Sequence, residues 1–108
     1  MGELDYKYEI EYYDRKGLRI TLEEFSKLCK DLDYKRVKQE HVGNYWISTV
    51  WLGMNHTWGS GAPLIFETMV FEGDNIAEET DMERYTTEEE ALAGHELFVQ
   101  KFEEFLWD

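Results

Sequence analysis

Residues 44–72 read NYWISTVWLG, MNHTWGSGA and PLIFETMVFE, two β-branched and aromatic runs around a loop. That loop holds Gly53, Gly59 and Gly61, together with His56 and Trp58. Val, Ile, Thr, Trp and Phe suit a pleated, half-buried surface, so the spacing predicts a long antiparallel hairpin at the centre of the fold. In the first strand Tyr45, Ile47, Thr49 and Trp51 share a face, opposite Trp46, Ser48, Val50 and Leu52. In the second, Ile65, Glu67, Met69 and Phe71 oppose Phe66, Thr68 and Val70. Glu67 thus lies among apolar neighbours, where a carboxylate needs a cation or several donors.

Upstream, LDYKYEIEYY (4–13) alternates strictly and predicts a half-buried strand, closed by a turn at Asp14–Gly17. Thr21-Leu22-Glu23-Glu24 has the spacing of a capping box, in which side chains satisfy the free N–H groups of a helix start. Leu22, Phe25, Leu28, Cys29 and Leu32 follow at helical spacing over 22–32. Residues 34–42 predict a more polar strand carrying Lys35, Arg36 and Lys38, and Gly43 turns the chain into the hairpin. Downstream, 72–86 is an acidic connection with few apolar anchors. Thr87-Glu88-Glu89-Glu90 is a second capping box, its glutamates also suited to the helix dipole. Ala91, His95, Phe98, Phe102 and Phe105 form the apolar stripe of that helix, and Gly94 beside it allows close approach to the sheet. The expectation is one α+β domain over 1–108: about four mostly antiparallel strands, with two helices packed on one face.

At 108 residues, 43% of them hydrophobic, the chain can bury one core but not two. No positively charged start leads into an apolar run, and no segment approaches the ~20 residues of a membrane span. A signal peptide and a membrane partner are therefore not expected. The single cysteine, Cys29, falls on a helical stripe and reads as a structural thiol, which suits a reducing cytoplasm. Charge says more. Formal net charge is −13, and residues 67–108 hold fourteen acids against only Arg84 and Lys101. Such a field repels nucleic acid and attracts basic surfaces.

Reaction signatures are missing. His41, His56 and His95 fall on three different elements without metal-ligand spacing, and no cofactor is expected. No catalytic residue is assigned, because G-x-S-x-G and H-E-x-x-H do not occur and Gly59-Ser60-Gly61 lacks the lysine of a phosphate loop. Two groups of candidate binding residues remain. Glu67, Thr68, Arg84, Tyr85 and His95 are candidates for a polar pocket. Glu72, Asp74, Glu78, Glu79, Asp81, Glu88 and Glu89, with His56 and Trp58 at the hairpin tip, are candidates for a partner surface.

STVWLGMNH (48–56), PLIFETMVF (63–71) and ERYTTEEEALAGH (83–95) resemble an uncharacterised group of small proteins encoded by tailed phages and prophages. DRKGLRITLEEF (14–25) and DYKRV (33–37) fit the same group, so the likeness covers roughly 14–96. It carries no site residues over. It implies a mobile-element product acting inside a bacterium, where small acidic proteins serve as inhibitors. The first expectation is a non-enzymatic binder of a basic host protein, for instance a CRISPR nuclease, imitating nucleic acid without binding it. The alternative is a small-ligand binder, a nucleotide-signal sponge using Glu67, Arg84 and His95. A structural or assembly role is a second alternative.

Overall fold

The computed structural model describes residues 10–56, 61–73, 75–76 and 81–107. The predicted hairpin is its spine. Strands β4 (Tyr45–Trp51) and β5 (Phe66–Glu72) pair antiparallel from Tyr45↔Glu72 to Trp51↔Phe66. β3 (Arg36–Val42) lies outside β4, with a register shift between Arg36 and Lys38. On the far side of β5, β6 (Asn75–Ile76) and β7 (Met82–Tyr85) pair in turn along the same edge. Five strands therefore fill four positions, close to the expected sheet.

A separate two-stranded sheet joins β1 (Tyr12–Tyr13) to β2 (Arg19–Ile20) around the expected turn. There Gly17 takes φ +86° and its N–H bonds the Asp14 carbonyl at 3.0 Å. Of the strand expected over 4–13, residues 4–9 fall outside the described residues, Ile10 and Glu11 are not strand, and only Tyr12–Tyr13 pairs.

Helix α1 (Leu22–Cys29) opens with the capping box read from the sequence, and ends three residues earlier than expected. Asp31 then caps a four-residue turn of helix, α2 (Leu32–Lys35), so β3 begins only at Arg36. The second capping box opens α3 (Glu88–Trp107), with the Glu90 N–H donating to Thr87 Oγ1 at 3.1 Å. Among the described residues no helix is long and apolar enough to cross a membrane.

All three helices pack on one face of the sheet, the Tyr45, Ile47, Thr49 and Trp51 face of β4. The core there has two parts. Val42, Ile47, Val70, Val99 and Phe102 form one. Trp51, Ile65, Phe66, Tyr85 and Ala91 form the other, with Phe25, Leu28, half-buried Cys29 and Tyr34 against it. Between them runs a buried polar layer. Thr49 and Thr68, opposite in register, share a hydrogen bond of 2.5 Å, and His95 Nδ1 lies 2.7 Å from Thr49.

Candidate functional site

Strand parity decides which of the candidate residues can meet. Thr68 and Tyr85 point to the helix side, whereas Glu67 and Arg84, directly opposite across β5 and β7, point to the other. His95 is fully buried on the helix side, with Nε2 3.0 Å from Glu40. A carboxylate can only accept, so Nε2 donates, and in the neutral ring Nδ1 accepts from Thr49. Both ring nitrogens are satisfied within the fold. The expected Glu67/Arg84/His95 pocket therefore does not form: the sheet separates His95 from the other two.

Glu67 is buried, and its Oε1 lies 3.8 Å from Arg84 Nε, an ion pair beyond hydrogen-bond reach. The third member of this cluster is His56, which sequence reasoning places at an exposed loop tip. Its backbone N–H bonds the Leu64 carbonyl at 3.1 Å, drawing the residue back onto the sheet. Burial first, and then the Arg84 charge, hold the His56 imidazole below its usual range, with Glu67 opposing. His56 Nε2 and Arg84 Nε are buried without hydrogen-bond partners among the described residues. Trp58, the other tip residue, lies outside them.

The acidic candidates divide in the same way. Asp74, Glu78 and Glu79 fall outside the described residues. Asp81 does not belong to an open acidic surface: it is only 6% exposed, and Lys101 Nζ donates to it at 2.9 Å. The reason is that 82–85 forms a strand rather than an open connection, and the Asp81 carbonyl accepts from Val70 N–H as that strand begins. Glu88 is likewise engaged, accepting from Arg15 Nε at 2.7 Å, and that bond holds the guanidinium above its usual range. Glu72 and Glu89 are exposed.

The structure also joins the candidate Glu89 to acids that sequence reasoning leaves unassigned, Glu90, Glu96, Glu103 and Glu104. Glu89, Glu96 and Glu103 recur every seven residues on the solvent side of α3, with Glu90 and Glu104 beside them, all exposed. Seven residues of helix span about 10.5 Å. Glu96 is paired with Lys38 Nζ at 2.7 Å, a bond that lowers its carboxyl and raises the amine. Glu89, Glu103 and Glu104 form no ion pair among the described residues. The signal is present in the sequence, because the buried stripe Ala91, His95, Phe98 and Phe102 fixes the opposite face.

Compared with known families, characterised proteins and solved structures, the chain matches none.

Proposed function

We propose that this protein is a non-enzymatic acidic binder that occupies a basic, nucleic-acid-binding surface of a host protein, in the manner of an anti-defence inhibitor. The observation that supports it is the unpaired carboxylate row of α3, Glu89, Glu103 and Glu104, on the face turned away from the core. Exposed carboxylates on a rigid helix keep fixed spacing, and they accelerate encounter with a positive patch. The density of charge matters to the mimicry. One strand of DNA carries a phosphate every ~3.4 Å of axis, so Glu89 and Glu103, two heptads or ~21 Å apart along the helix, match about one phosphate in six. The remaining negative field comes from the exposed Glu72, Glu83 and Glu90.

The test is capture of partners from a bacterial lysate on immobilised protein, in low and high salt. A second column carries Glu89→Lys/Glu103→Lys/Glu104→Lys. Exposed charges contribute little to stability, so this variant is expected to fold. The expected result is a basic protein retained by the wild type, released by salt and not retained by the variant. Equal retention on both columns sinks the proposal.

A further inference from the structure

Beside β7, the flank of α3 carries a trough of about 510 Å³, within the ~300–1,000 Å³ range of ligand sites. It runs past the small side chain of Ala93 between Glu90 and Leu97, while Tyr85 fills the space beside Gly94. The geometry points to this trough as the seat of one apolar side chain from a lysine- or arginine-rich segment of a protein partner. The proposal rests on the acidic-binder reading and names where that partner is gripped.

Three observations carry it. The trough is apolar and open: Tyr85 and Phe98 line it, and Leu97 at its edge is 66% exposed. Its floor is the ring of Tyr85, only 9% exposed and held in the core cluster with Trp51 and Phe66. Finally, the charge around it is one-sided. Lys101 is neutralised by Asp81 at 2.9 Å, whereas Glu83 and Glu90 at the rim face no cation among the described residues. Carboxylates around an apolar seat select a basic segment, and the buried apolar anchor holds it.

The probe is the acetylated peptide Lys-Lys-Trp-Leu-Lys-Lys, compared with Lys-Lys-Ala-Ala-Lys-Lys and Gln-Gln-Trp-Leu-Gln-Gln, each titrated into ¹⁵N-labelled protein. The first is expected to bind at least about tenfold more tightly than either control, a factor within reach of one anchor. Its shifts should centre on Gly94 and Leu97. Ala93→Trp, at an exposed helix position, should fill the trough and remove the advantage while leaving circular dichroism unchanged. If both lysine peptides bind equally, the trough proposal is overturned and the acidic-binder reading stands. If neither exceeds the neutral peptide, that reading falls too. Shifts at Gly94 that grow with protein concentration alone would place a second copy in the trough and overturn the proposal.

Discussion

Gly94→Ala pits two effects of similar size against each other. An exposed mid-helix Gly→Ala change stabilises by about 1 kcal/mol through helix propensity. Here the added Cβ would overlap the Tyr85 hydroxyl, Cε1 and Cζ, closer than real Cβ contacts come. Tyr85 cannot yield cheaply, because its ring packs with Trp51, Ile65, Phe66 and Ala91 in a core cluster. Overpacking of this kind costs about 1–3 kcal/mol. The steric clash outweighs the gain in propensity, and Gly94→Ala is expected to destabilise the protein by about 1 kcal/mol net, or roughly 4 °C in Tm for a domain of this size. Urea unfolding followed by tryptophan fluorescence reads the change as a shift in midpoint at constant slope. Ala93→Gly, on the exposed side of the same turn, calibrates propensity alone and should cost about 1 kcal/mol. The decisive step is the second background. With Tyr85→Val the obstacle is gone, and the same Gly94→Ala change should now stabilise by about 1 kcal/mol, reversing sign. Stabilisation by Gly94→Ala in the wild-type background would refute the close packing of α3 on Tyr85.

Three further outcomes follow from the same contacts. Thr21→Ala and Thr87→Ala each remove a side-chain acceptor from Glu24 N–H or Glu90 N–H, and each should cost about 0.5–2 kcal/mol by urea unfolding. Burial holds the His56 imidazole low, so on acidification the unfolded chain takes up its proton first. Stability present above the unfolded value, 6.5, is then lost as pH falls towards the folded one. His56→Gln should flatten that part of the pH dependence relative to wild type, with little change at pH 8. Asp81→Asn leaves Lys101 without its carboxylate and should cost about 1.5 kcal/mol, whereas Glu104→Gln, at an exposed site, should leave the urea midpoint within error.

The hairpin was legible because alternation over seven residues in each strand fixes both faces at once, and a slip of one residue would turn Ile47 and Val70 outward. Both helix starts were legible from their capping boxes, and Gly94 from its place beside an apolar stripe. Parity alone would also have split the candidate pocket, since Glu67 and Thr68 are neighbours on one strand and must face opposite sides. What stayed hidden depends on distant partners. Nothing local marks Asp81 as buried, because the lysine that receives it lies twenty residues on, in the later turns of α3. Arg15 and Glu88, seventy-three residues apart, are equally unreadable as a pair. Met82–Tyr85 is too short to show periodicity within an acidic run, so it reads as connection rather than strand. His56 reads as exposed because a glycine-rich loop suggests a protruding tip, whereas the Leu64 carbonyl draws it in.

The most direct test of acidic mimicry is competition for the captured host protein between this protein and a fluorescently labelled DNA duplex. Anisotropy measured at 0.15 M and at 1 M salt spans screening lengths of about 8 and 3 Å. The wild type is expected to displace the duplex at 0.15 M and to lose its binding at 1 M salt, and Glu89→Lys/Glu103→Lys/Glu104→Lys to displace nothing. A ternary complex with the duplex still bound, or equal displacement by the charge-reversed variant, would contradict the mimicry.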